Sequence, residues 1–396
     1  MLPRALAACV LAAGLAWAMP ARGETPDLRC GQEPGNRFFW VEWAFCDLDA
    51  HGPEKARGIV IWNHGISGTT EQYKAPAALV LRLLHGRGWD AIKINRNNLG
   101  ETSRERSLDR AVERTADEVR AQRVRGYRRV VLAGQSFGGY ITLETAAEQR
   151  DLFGAVAMAP GITSKGAGID RIDLSITDRL LQGSRAERVA AVFPQGDALF
   201  DHLARGPGAL KVLGRRTGPY LLIDETAPGI SGHGGGTGGR FALRYGMCLV
   251  EFLSTDSPPA GRFPCPEGRE WDSARSILLR ALPADMRLLP DRTVPPEVAP
   301  LAGFWYGLMG ESVIVLGMVE RGGIPRLLYR AATPRISAGI YEFRAADGAL
   351  HAVLGKGTSP TIVVKPGADR TAELIWTSAD AKRNLTASLA RAGSIE

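Results

Sequence analysis

The sequence is short of the residues that metal and redox centres need. Its 396 residues include five cysteines and six histidines. No two cysteines have C-x-x-C spacing, and no H-E-x-x-H segment occurs. A phosphate loop is missing too: the glycine-rich stretch from Gly232 to Gly239 lacks the Lys-Ser/Thr that would hold a nucleotide. No metal and no cofactor are therefore expected. Beyond the first twenty residues, no apolar run approaches the ~20 that cross a bilayer, so no transmembrane segment is expected in the body of the chain. Charge of one sign is not concentrated either. The 49 basic and 42 acidic side chains are interspersed rather than gathered into a basic stripe, which argues against nucleic acid as a partner.

What is present is an ordinary globular composition, 45% hydrophobic and 23% charged, in a chain long enough for more than one unit. Residues 1–23 have the grammar of a signal peptide: Arg4, an apolar stretch from Ala5 to Trp17, then Pro20 and small residues. Cleavage could follow Ala16-Trp17-Ala18 or Ala21-Arg22-Gly23, and the second is favoured because Pro20 ends the apolar helix. Loss of Arg4 and Arg22 takes the net charge from +7 to +5. Export to the periplasm or the exterior fits the remaining cysteines, which are even in number. Of the three possible pairings the two local ones, Cys30–Cys46 and Cys248–Cys265, are expected; the competing reading is four free, buried thiols.

Two grammars follow one another. Residues 24–282 form the first unit, and from 57 to 253 short apolar runs alternate with longer amphipathic segments, the mark of parallel strands joined by helices. The runs at 58–62, 91–94, 130–133, 155–158, 189–193 and 220–223 read as strands, and 106–125 and 240–253 as helices. Residues 283–300 carry five prolines and read as a stiff linker. Residues 301–396 hold only short β-type runs at hairpin spacing, the pattern of a small barrel or sandwich. The fold class is thus α/β, a mostly parallel sheet with helices on both faces, plus a small all-β C-terminal unit.

The chemical signal lies in Gly134-Gln135-Ser136-Phe137-Gly138-Gly139. This is G-x-S-x-G between a buried β-run and a helix-forming run, a turn so tight that its flanks must lack a Cβ, with the serine hydroxyl pushed into the open. With this motif and the run order of 55–255, the chain resembles the α/β-hydrolase superfamily, and the wording around the serine is similar to its dienelactone-hydrolase-like esterase branch. The resemblance implies a nucleophile after the central strand, an acid after a later strand and a histidine after the last. Ser136 would be the nucleophile and His233, in Ser231-Gly232-His233-Gly234, its base. Asp197, just past the run at 189–193, ranks first as acid; Asp201 is the second choice and Asp224 the third. The oxyanion donors would be the backbone N–H groups of Phe137 and, through His64-Gly65-Ile66, of Ile66, with the His64 ring bracing that loop.

The expected function is an exported serine hydrolase of carboxylic esters, working through an acyl-enzyme on a small-molecule or polymer-end substrate. The short connection between 158 and 189 implies an open site. Peptidase, thioesterase and acyltransferase chemistry share the same site, and a non-catalytic binding protein on a hydrolase fold is the reading from another class. In the C-terminal unit Trp305, Tyr306, Tyr341 and Trp376 either fill a core or form a face for sugar rings or an acyl chain. A chain ending near Pro290 is expected to fold and to cleave small soluble esters.

Overall fold

The structure, a computed structural model, describes residues 28, 30–31, 38–67, 70–97, 104–161, 174–199, 202–279, 285–289, 293–333 and 335–392. The expected signal peptide and its cleavage sites lie outside these residues.

The first sheet contains β1 (Phe39–Trp43), β2 (Gly58–Asn63), β3 (Trp89–Arg96), β4 (Val130–Gln135), β5 (Gly154–Met158), β6 (Arg188–Val192), β7 (Pro219–Ile223) and the short β8 (Gly261–Arg262). Their order is β1-β3-β2-β4-β5-β6-β7-β8. β1 runs antiparallel to β3 at one edge, and every other pairing is parallel. All residues of β2, β5 and β6 are buried, because helices cover both faces. The helices are α1 (Val80–Gly86), α2 (Arg104–Val124), α3 (Phe137–Glu148), α4 (Leu174–Gly183), α5 (His202–Leu213), α6 (Gly239–Ser254) and α7 (Glu270–Leu278). Alternation along β2 shows the two layers: Ile59 and Ile61 join a core with α2 to α5, while Val60 and Trp62 join one with α1, α6 and α7. Two disulfides form, Cys30–Cys46 and Cys248–Cys265, with Cα atoms 5.5 and 5.2 Å apart.

The second sheet is antiparallel throughout. It comprises β9 (Met286–Leu288), β10 (Phe304–Met309), β11 (Ser312–Arg321), β12 (Ile324–Thr333), β13 (Arg335–Tyr341), β14 (Phe343–Ala346), β15 (Ala349–Val353), β16 (Thr361–Pro366), β17 (Thr371–Thr377) and β18 (Asn384–Arg391). The order β13-β12-β11-β10-β18-β17-β16-β15-β14 puts the consecutive strands β13 and β14 at its two ends, so the sheet curls into a nearly closed barrel. Its interior is packed by Trp305, Leu316, Tyr329, Ile362, Leu374 and Leu389 among others. The proline-rich segment is not a free spacer: it contains β9, which pairs with β11, and a 3-10 helix, Pro296–Leu301, that closes this interior.

The four aromatics do not share a face. Trp305 points into the barrel and donates its indole N–H to the Leu301 carbonyl at 2.9 Å, whereas Tyr306 faces outward onto Trp271 of α7, ring centroids 5.6 Å apart. Tyr341 and Trp376 pack half-buried against the barrel core. Packing, not an assembled sugar or acyl face, accounts for them.

The outer side of the barrel has a different task. Phe304, Val313, Val315, Val319, Leu328 and Ala332 belong to the same buried cluster as Phe241 of α6 and Ala274, Ile277 and Leu278 of α7. Arg330 donates to the Leu278 carbonyl at 2.5 Å. β11 is therefore apolar on both sides, one for the barrel and one for the helices. The β10–β11 hairpin tip also reaches the start of α6, where the Arg240 N–H donates to Glu311 Oε2 at 3.4 Å. A Cβ on Gly239 would collide with the Glu311 carbonyl, so glycine is required for that approach. The two sheets thus share one apolar core.

Candidate active site

Ser136 joins β4 directly to α3 in a left-handed conformation, φ 56° and ψ −125°, which an L-residue adopts only when its surroundings enforce it. The surroundings are visible. Ser136 N–H donates to the Met158 carbonyl at 2.9 Å, and its own carbonyl accepts from Tyr140 N–H at 3.0 Å and Gly161 N–H at 3.2 Å. A Cβ on Gly134 would strike the Gly138 backbone, and one on Gly138 the Asn63 carbonyl, so neither glycine is replaceable. Phe137 N–H stands at the first position of α3, where no preceding turn supplies a carbonyl, and the helix dipole adds positive potential there.

Two loops at neighbouring strand ends meet beside it. After β6, Gly196 at φ 64° turns the chain so that Asp197 points inward, with one carboxylate oxygen accepting Leu199 N–H at 3.0 Å. After β7 the segment 230–235 runs alongside: Gln195 N–H donates to the Ile230 carbonyl (3.3 Å) and Gly232 N–H returns to the Gln195 carbonyl (2.7 Å). This pairing brings His233 Nδ1 within 3.1 and 3.0 Å of the two Asp197 oxygens. The Asp197 side chain is 3% exposed and the imidazole 21%. The Gln135 side chain, one residue before Ser136, donates to the His233 carbonyl at 3.1 Å and so ties the histidine loop to the nucleophile strand. Behind Asp197 lies Arg205, buried over the Phe193 ring; burial lowers its pKa to about 10 against the opposing charges of Asp197 and Asp178.

The other acid candidates fare differently. Asp224 accepts from the Thr226 N–H at 3.1 Å and hydroxyl at 2.6 Å, closing its own turn. Asp201 lies outside the described residues.

The loop after β2 faces Ser136 from the opposite side. A Cβ on Gly65 would lie 2.9 Å from Gln135 Oε1 and 3.3 Å from Ser136 Cβ, so glycine lets His64-Gly65-Ile66 come this close. The His64 ring braces the loop from within: Nδ1 donates to the Gly65 carbonyl at 2.7 Å and Nε2 accepts the Arg96 N–H at 2.9 Å. Burial, and next the Arg96 charge, hold His64 well below the ordinary histidine range, so it is neutral. Sequence reasoning passed over Arg96 and Gln135. The only local sign for Arg96 is a cation continuing the run 91–94, where a strand buried on both faces has no use for one.

Two other clusters among the described residues lie away from Ser136. An open depression of about 360 Å³ beyond β7, lined by Asp224, Arg244, Tyr245, Arg262 and Glu267, includes none of Ser136, His233 or Asp197. His51, His85 and Asp90 gather at the start of β3, the far end of the sheet from Ser136. There Asp90 accepts from the N–H groups of His51 (2.8 Å) and Gly52 (2.9 Å) and the Tyr127 hydroxyl (2.7 Å). The ring Nε2 atoms of His51 and His85 bond carbonyls at 3.0 and 2.9 Å, so the cluster staples a loop to the sheet.

No family model and no curated protein matches the sequence. Among solved structures the chain is similar to an esterase from Pyrococcus furiosus (14% identity, 51% of this chain and 82% of that one, TM-score 0.39). It is also similar to a Klebsiella pneumoniae chain assigned as a dienelactone hydrolase (17%, 48% and 78%, TM-score 0.31) and to a puromycin-hydrolyzing peptidase from Mycobacterium tuberculosis (15%, 57% and 39%, TM-score 0.39). Each likeness is weak, and the roles of the site residues rest on their own geometry. The parallel order of the strands, with a serine elbow after the central β4 and loops converging on it from β6 and β7, is that of an α/β-hydrolase fold carrying an additional β-barrel.

Proposed function

We propose that this protein is an exported serine hydrolase of carboxylic esters with Ser136, His233 and Asp197 as its catalytic groups. The observation that carries the reading is the pairing of His233 Nδ1 with both Asp197 oxygens, in a loop that Gln135 ties to the strained turn of Ser136. In this reading the Ser136 hydroxyl attacks the acyl carbon while its proton passes to His233 Nε2. Asp197 holds the Nδ1–H tautomer and stabilises the imidazolium. The tetrahedral oxyanion accepts hydrogen bonds from Phe137 and Ile66 N–H and then collapses. The leaving alkoxide takes the proton from His233, and water repeats the sequence on the acyl-enzyme to release acid and free serine.

Two disulfides support an oxidising compartment, and no helix among the described residues is long and apolar enough to cross a membrane. Residues 24–282 are assigned as the catalytic unit and 301–396 as the β unit, with a small or polymer-end ester as substrate. A fluorophosphonate probe tests the chemistry: labelling should map to Ser136 and depend on it. Folded protein left unlabelled would remove the enzyme reading. A p-nitrophenyl panel from acetate to palmitate, run beside an amide and a thioester, then sorts the bond and the acyl length; short acyl esters should turn over fastest.

A further inference from the structure

Arg96, at the end of β3, is fully buried, yet no step of the reaction consumes it. Its Nη2 donates to the carbonyls of His64 at 2.6 Å and Gly65 at 3.3 Å, and its guanidinium lies over the Phe137 ring, 5.2 Å from the centroid. We propose that Arg96 is a positioning residue that sets both oxyanion donors, by fixing the plane of the Gly65–Ile66 peptide and bracing Phe137. The proposal rests on the serine-hydrolase reading above.

The geometry gives the reason. In a trans peptide the C=O and the next N–H point in opposite directions. The Gly65 carbonyl is held on the buried side by two donors, Arg96 Nη2 and His64 Nδ1–H. Ile66 N–H, on the far side of the same plane, must then turn away from Arg96. Gly65 itself is separated from Ser136 by little more than the room of one Cβ. The other donor belongs to Phe137, and its ring is the surface on which the same cation rests. One rigid buried group therefore spans two donors that come from different loops.

Arginine suits this task, because its Nη2 alone reaches both carbonyls while the flat guanidinium lies over the Phe137 ring, and the group keeps its charge when buried. A cation on the carbonyl side also polarises the Gly65–Ile66 amide, which strengthens Ile66 as a donor. His64 completes the arrangement only as the Nδ1–H tautomer. The Arg96 backbone N–H enforces that tautomer by occupying Nε2, and burial keeps the ring neutral.

The test uses the full-length protein with Arg96→Met, which removes the donors and the charge, and Arg96→Lys, which keeps the charge on a single donor nitrogen but loses the planar guanidinium. Kinetics on p-nitrophenyl acetate are read with the inhibition constant of a trifluoromethyl ketone, whose tetrahedral adduct carries the oxyanion. Arg96→Met should lower kcat by about 10²–10³-fold, the scale of one lost oxyanion donor. KM should change little, the acid limb of the pH profile should stay in place, and the ketone should weaken by the same factor as kcat/KM. Arg96→Lys should recover part of each. A folded Arg96→Met with wild-type kcat overturns the proposal, as does a loss that appears in KM or the pH profile while ketone affinity is unchanged. If neither variant folds, ¹⁵N NMR of the wild-type His64 ring still decides: the proton must sit on Nδ1, and the opposite tautomer refutes the arrangement. Wild-type fluorophosphonate labelling separates the two readings. Absent labelling overturns both, whereas labelled wild type with a kinetically silent Arg96→Met removes the role of Arg96 alone.

Discussion

Ending the chain at Leu279 should unfold the parallel-sheet unit, although every proposed catalytic residue would remain. The barrel covers α6 and α7, and without it Ile277 and Leu278, 4% and 0% exposed, face water together with the partly buried Trp271. At about 1.5–3 kcal/mol for each large apolar side chain, the loss is roughly 4–8 kcal/mol. That rivals the whole stability of a typical domain, about 5–15 kcal/mol. The sequence pattern alone implied the reverse, a first unit that stands by itself; the shared core is what changes the expectation. Urea unfolding followed by near-ultraviolet circular dichroism, with p-nitrophenyl acetate turnover on the same samples, reads the outcome. The shortened chain should show no cooperative transition and no turnover. Phe304→Ala in the full chain tests the same interface without a deletion. Phe304 is 4% exposed and stacks on Trp271 at 6.0 Å, so about 3–5 kcal/mol should be lost. A soluble shortened chain that unfolds cooperatively within about 2 kcal/mol of the full protein, and keeps its kcat, would refute this reasoning.

Asp197→Asn should lower kcat/KM by about 10³–10⁴-fold with KM little changed, since a neutral amide cannot stabilise the imidazolium; initial rates yielding less than a tenfold loss would exclude Asp197 as the orienting acid. His64 predicts a pH dependence of stability. Its folded pKa lies well below 6.5, so the unfolded chain takes the proton first, and stability is full above about pH 6.5 and declines below it. One such group costs about 1 kcal/mol between pH 6.5 and 5.5, a component that His64→Gln should lack; equal slopes in urea titrations of the two proteins would contradict it. Replacing Cys248 and Cys265 together by serine should cost about 3 kcal/mol, from reopening a loop of 17 residues, and an unchanged urea midpoint would count against a constraining bridge.

The serine elbow was legible in the sequence because it is a local object. A strand, a turn too tight for any Cβ and a helix occupy consecutive residues, so Gly134, Ser136 and Gly138 announce the conformation that the structure shows. The parallel sheet was legible for a similar reason, since strands buried on both faces must be written as short unbroken apolar runs. The strands β1, β8 and β9 and the helices α1, α4, α5 and α7 were not singled out in the sequence. Their residues gain burial from partners far away rather than from their own periodicity.

His233 and Asp197 stand between these cases. Chain order points to each, but their meeting at 3.0 Å depends on the backbone pairing of Gln195 with the loop from 230 to 232. The brace from Arg96 and the tie from Gln135 were not written locally at all, because a buried polar side chain is explained only by the carbonyls it finds across the fold. The same holds for the apolar outer face of the barrel. The unbroken apolar run of β11 shows that two faces are buried, yet only tertiary packing decides that one of them belongs to α6 and α7. Elements whose cause lies within a few residues, the elbow above all, are written locally in the chain. The tertiary structure decided which distant surfaces satisfy one another, since burial and hydrogen bonding are settled between segments and not within them.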